Sequence, residues 1–196
     1  MLREHSLLGY HCTKLTADEI VQIKNHGMSL QNLSSLSERI DKLIEASVID
    51  GDIADRLKNE NQANEEYRAE MIWFCFFKPY LAGQGGIERF FRSWGGEALY
   101  NSHENDPITG VCLSEIGIPC IIKAVVPISA LKHSYFPNTA LIRALLYFEG
   151  HSINNPFDQE AFSIEGIPAA NIVEIIEYPS SAFLELTKCD KWDENL

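Results

Sequence analysis

No run of about 18 apolar residues, the length needed to cross a bilayer, occurs in the chain. Its opening, MLREHSLLGYHC, holds too short an apolar stretch for a signal peptide. The five cysteines (Cys12, Cys75, Cys112, Cys120 and Cys189) are odd in number and include no C-x-x-C pair. Neither a disulfide framework nor a structural zinc site is expected, and a soluble protein of the reducing cytoplasm, with no membrane partner, is the simplest reading. None of the six histidines has H-x-x-x-H spacing, so a metal site has no motif behind it. There is no G-x-G-x-x-G and no P-loop, so neither Rossmann binding nor triphosphate hydrolysis is supported. G-x-S-x-G is missing as well.

Positive charge is also scarce. Lys and Arg number 16 against 28 Asp and Glu, a net of −12 over 196 residues. A protein that grips a nucleic-acid backbone needs clustered cations to displace counterions, so stable binding of that kind is disfavoured. A local basic groove acting briefly on nucleic acid is still compatible. Residues 1–98 carry 11 basic and 15 acidic side chains, and residues 99–196 carry 5 and 13. Any basic pocket is therefore expected to draw on the first half, where Lys14, Lys24, Lys78, Arg89 and Arg92 lie.

What is present describes a folded globule: 45% hydrophobic, 10% aromatic and 22% charged residues, over a length that suits one domain. Leu7 to Cys12 reads as a strand. Thr16 and Glu19 then form a capping box, Ile20 and Ile23 mark a buried stripe, and Gly27 supplies the stop. A second box at Ser35 and Glu38 leads Ile40, Leu43, Ile44 and Val48 at helical spacing, and a polar helix is expected over about 52–66. The run from Met71 to Phe77 reads as a buried strand, followed by a glycine-rich loop and a short helix near Ile87–Trp94. Gly95 and Gly96 are expected to turn the chain into another strand. Further on come a strand at Pro119–Val126, a helix at Asn138–Phe148 with Leu141, Ile142, Leu145 and Leu146 inward, and strands at Glu160–Ile164 and Asn171–Tyr178. This order is α+β, not the βαβ alternation of a doubly wound sheet.

Two stretches stand out chemically. Tyr10-His11-Cys12-Thr13 ends the first strand just before a capped helix that stops at Gly27-Met28. Far along the chain, Asp158-Gln159-Glu160 opens a strand that leads to Glu165-Gly166-Ile167-Pro168 and then Asn171-Ile172. Cys12 beside His11 suggests a nucleophile and base, but adjacent strand residues point to opposite faces, which argues against that pair. Glu97 after Gly95-Gly96 is a rival carboxylate, and Arg89 and Arg92 could meet a pyrophosphate or simply face solvent.

In order and spacing these stretches resemble the two ends of bacterial ADP-ribosyltransferases and their relatives. There a strand with His-Gly-Thr or His-x-Thr precedes a helix ending in Gly-Leu, and a glutamate at a strand start is followed by Gly-Ile-Pro and a strand beginning Asn-Ile. The resemblance implies a single α+β domain over residues 1–196, a split β-sandwich of two packed sheets, with a helical insert at about 36–70 after the first strand. It implies NAD as co-substrate, cleavage of the nicotinamide–ribose bond, and transfer of ADP-ribose to a protein or nucleic-acid acceptor. It also implies a toxin, phage-defence or phage–host setting, with a neutralising antitoxin as partner. By motif, Glu160 would hold the ribose 2′-hydroxyl and stabilise the oxocarbenium-like cation, as a fixed carboxylate does in glycoside hydrolysis. His11 would bond the adenosine-side ribose, and Thr13 would help position the dinucleotide. Tyr80 would stack on nicotinamide, with Tyr100 and Trp73 as rivals. Asp158, where the family commonly has Glu or Gln, would help select the acceptor. The alternatives are an NAD glycohydrolase on the same fold and a non-enzymatic acidic inhibitor module. The enzyme reading expects His11, an aromatic ring and Glu160 to converge on one cleft, and separation of His11 and Glu160 on opposite faces would count against it.

Overall fold

Strand β1, Ser6–Leu15, organises the molecule because both of its faces are covered. The computed structural model describes residues 2–132, 137–154, 159–193 and 196. On one face of β1, Leu15 packs with Ile20, Met28, Phe74 and Ile122. On the other, Tyr10 and Cys12 lie against Ile87, Phe91, Ile121 and Phe183. The period of two along a strand separates these sets.

Helix α1, Ala17–His26, follows as its caps dictate: the Thr16 side chain accepts from Glu19 N, and the Glu19 carboxylate accepts from Thr16 N. Gly27, at φ 84°, stops it. Helices α2, Leu33–Glu45, and α3, Gly51–Asn59, come next. The cap of α2 is Asn32 with Ser35, three residues earlier than the Ser35–Glu38 box, because Asn32 Oδ1 already satisfies the Ser35 amide. Strand β2, Ile72–Cys75, is followed by a 3-10 turn at Pro79–Ala82 and by α4, Gln84–Arg92.

The next segment departs from the expected turn into a strand. Glu97–His103 is a helix, α5, and Thr109–Glu115 is α6. Gly95 and Gly96, at φ 85° and 61°, reverse the chain into α5, and a Cβ on Gly95 would sit 2.4 Å from Leu99 Cδ1. The glycines are a close packing of loop on helix. Trp94, Leu99, Leu113 and Ile116 then join Leu36, Ile40, Leu43 and Leu57 in one core. The helical lobe thus reaches beyond about residue 70 to take in α5 and α6. Each fully buried aliphatic side chain of that core contributes about 1.5–3 kcal/mol.

Strand β3, Ile118–Pro127, and the short β4, Leu131–Lys132, precede helix α7, Asn138–Phe148. No residue of α7 is buried, and Leu141, Ile142 and Leu145, expected inward, are exposed. Strands β5, Glu160–Ser163, and β6, Ile172–Glu177, and helix α8, Ser181–Thr187, complete the chain. The class is α+β. Where two packed sheets were expected, the described strands form one six-stranded antiparallel sheet, ordered β4-β5-β2-β1-β3-β6.

Candidate functional site

The sheet is unequally joined. β1 pairs with β3 along its whole length, from Ser6↔Pro127 to Leu15↔Ile118, but with β2 only at Tyr10↔Cys75. β2 in turn pairs with β5 from Ile72↔Ser163 to Cys75↔Glu160. A seam therefore divides the sheet into the triplets β4-β5-β2 and β1-β3-β6. Both residues of the early motif, His11 and Thr13, and the late-motif Glu160 come from strands that border or approach this seam.

Tyr10, Cys75 and Glu160 form one row across it, so their side chains share a face. Glu160 is exposed at the first position of β5. Cys12 lies on the same face, and its thiol is pushed well above its ordinary range by a bond to Cys75, by burial and by the nearby Glu160 charge. Trp73 and Phe162 pair next along the strands, their rings 4.9 Å apart, and Trp73 is 38% exposed. An aromatic surface thus adjoins the carboxylate.

Strand alternation points His11 away from that row, towards Phe74, whose ring centroid is 5.9 Å away. The imidazole lies in the seam, where the ladder between β1 and β2 has ended, and Nδ1 is 2.8 Å from the Trp73 carbonyl oxygen. A carbonyl only accepts, so Nδ1 carries the proton and donates. Burial lowers the pKa of His11, outweighing the Trp73 bond that raises it, and Arg39 lowers it further. The ring is held neutral, with Nε2 an acceptor. Thr13, half-buried and opposite Cys120, is on His11's side of β1.

The early and late motifs meet at a second point. Met28 and Ile167 exchange backbone hydrogen bonds of 2.8 Å each. A Cβ on Gly27 would lie 1.9 Å from the Ile167 carbonyl oxygen, and one on Gly166 would lie 2.9 Å from that of Met28. Both glycines are needed for this approach.

The other candidates are engaged elsewhere. Tyr80 sits in the 3-10 turn with Lys188 Nζ 5.7 Å from its ring centroid. Tyr100 is 3% exposed and donates to Glu97, which also pairs with Arg68 at 3.5 Å. Arg89 holds Glu104 through Nε and Nη2 and stacks on Tyr100. Arg92 faces Glu88, Lys78 pairs with Glu185, and buried Lys14 donates to the Ser114 carbonyl. Asp158 falls outside the described residues. Sequence reasoning overlooked Cys75 and Phe162, whose places depend on the register of distant strands. Among the described residues no cluster of His, Cys, Asp and Glu could hold a metal ion, and no helix is long and apolar enough to cross a membrane. No family model matches the chain, and no curated protein or solved structure matches it.

Proposed function

We propose that the chain is an ADP-ribosyltransferase-like enzyme that breaks the nicotinamide–ribose bond of NAD and passes ADP-ribose to a macromolecular acceptor. The observation that carries this reading is the seam: an antiparallel sheet divided into two triplets, with an exposed glutamate on one side and a neutral histidine within the gap. Such a division is the form a split β-sandwich would take. The contact of Gly27-Met28 with Gly166-Ile167 adds support, because it joins the two motifs that carry the resemblance.

In this reading Glu160 faces the ribose that loses nicotinamide. The leaving ring takes the bonding electron pair, positive charge develops on the sugar, and a preorganised carboxylate lowers that barrier. The acceptor's nucleophile then closes the new bond to the ribose. His11 Nε2 accepts from a hydroxyl of the adenosine ribose, an interaction open only to the neutral ring. Thr13 helps to position the dinucleotide. Trp73, exposed on Glu160's face, replaces Tyr80 as the favoured surface for nicotinamide. His11 and Glu160 point to different faces of their strands, so these two side chains do not meet the expectation of convergence on one cleft, and the reading rests on Glu160 with the exposed Trp73 beside it.

The test is incubation of the protein with NAD carrying a labelled adenosine, with protein and nucleic-acid acceptors supplied separately. Nicotinamide release with label on one acceptor supports transfer. Free ADP-ribose with no labelled macromolecule would replace transferase by glycohydrolase, and intact NAD in every arm would leave the non-enzymatic acidic module.

A further inference from the structure

Two of the five cysteines meet at the seam. Cys75 lies opposite Tyr10, and Cys12, two residues along β1, is on the same face. Cys75 Sγ donates to the Tyr10 carbonyl oxygen at 3.4 Å, which holds it beside the β1 backbone two residues from Cys12, and the two thiols influence each other's titration. Both are half-buried and therefore within reach of a small oxidant. Cys120 and Cys189 are buried, and Cys112 belongs to the helical lobe. The strands carrying Cys12 and Cys75 are joined by a single residue pair at this point.

We propose that Cys12 and Cys75 are a modification site for peroxides, which oxidise the pair to a disulfide that ties β1 to β2 across the seam. Cys75 reacts first, because the Cys12 thiol is the one held protonated. Its sulfur takes one peroxide oxygen, giving a sulfenic acid and releasing water. Cys12 then attacks that sulfur, its proton leaves with the hydroxyl as a second water, and the disulfide forms. Two thiols are oxidised by two electrons and one hydrogen peroxide is reduced to two waters. The interaction with Cys75, burial and the Glu160 charge keep Cys12 protonated at rest, so it is not the thiol that meets peroxide first, and it must give up its proton as it attacks the sulfenic acid. The proposal is independent of whether NAD is a substrate.

The experiment treats the full chain with dilute hydrogen peroxide, blocks remaining thiols by alkylation and maps peptides without reduction. The expected result is one intramolecular link between the peptides holding Cys12 and Cys75, removed by dithiothreitol, while Cys112, Cys120 and Cys189 are recovered alkylated. In the Cys12→Ser variant the link is lost, and Cys75 accumulates as sulfenic and then sulfinic acid. Recovery of Cys12 and Cys75 alkylated while Cys112 oxidises, or links between chains in place of the internal one, would overturn the proposal. The wild-type map decides the matter even if a variant folds poorly.

Discussion

Two histidines stand in opposite circumstances. His103, in the helical lobe, is fully buried with both ring nitrogens engaged: Nδ1 is 2.9 Å from Thr109 Oγ1 and Nε2 is 2.6 Å from the Glu60 carbonyl oxygen. His11, at the seam, has Nδ1 on the Trp73 carbonyl and keeps an acceptor at Nε2. Trp94 shows the same completeness, buried with its Nε1 donating to Glu19, which also takes Arg39 at 2.6 Å, although Arg68 Nε and Ser93 Oγ nearby are buried with no hydrogen-bond partner. The difference teaches that buried polar groups alone do not mark a site. At His103 and Trp94 they are satisfied and hold helices together. At the seam a strand ladder has stopped, and hydrogen-bonding capacity is left over.

The contrast can be broken by substitution. Glu160→Gln should lower nicotinamide release from NAD by about 10²–10³-fold, the scale of one preorganised electrostatic group, with an unchanged melting temperature because the side chain is exposed. Steady-state kinetics beside a thermal melt would check both halves. A comparable rate in the variant would remove Glu160 from the chemistry. His103→Ala should do the reverse, costing about 2–4 kcal/mol of stability through two lost hydrogen bonds and a cavity. Denaturant titration measures that cost, and the turnover of the folded fraction should match wild type.

Smaller effects sharpen the comparison. Glu19→Gln should destabilise the lobe by about 1–3 kcal/mol, because it removes the charged partner of Arg39 and leaves it only Gln31 and the Trp94 ring. Burial alone would raise the pKa of Glu19, but Arg39, the Thr16 amide and Trp94 outweigh it and lower the value from 4.5. The stability linked to Glu19 is therefore present above its unfolded value and is lost as pH falls through the lower folded value. Melts of wild type and Glu19→Gln should converge on acidification. His11 gives the smallest effect. Its folded pKa lies below 6.5, so the unfolded chain binds more protons between that value and 6.5. Wild-type stability should fall as pH drops through this window, whereas His11→Asn should show no such loss relative to its own value at pH 7.

How legible all this was depended on the range of the interaction. The box at Thr16 and Glu19, the stop at Gly27 and strand β3 are local, and the sequence shows them directly. Helix α5 was hidden because Gly95-Gly96 looks like a hairpin turn until Leu99 is seen packing on Gly95. The stripe on α7 has helical spacing, but spacing cannot tell whether a neighbour covers it, and here Leu141, Ile142 and Leu145 are exposed. His11 and Glu160 could be singled out because their flanking residues form short motifs. That Cys12 would meet Cys75, or that Trp73 would share a face with Glu160, follows from strand order and register, which join residues more than 60 positions apart.

The central claim is that NAD enters the seam and not the lobe. Hydrogen exchange measured with and without NAD tests this most directly. Slower exchange in residues 10–13, 72–75 and 160–162, with the amides around Trp94 and His103 unchanged, is the result this account predicts. Protection confined to the lobe, or none at NAD concentrations that sustain turnover, would contradict it.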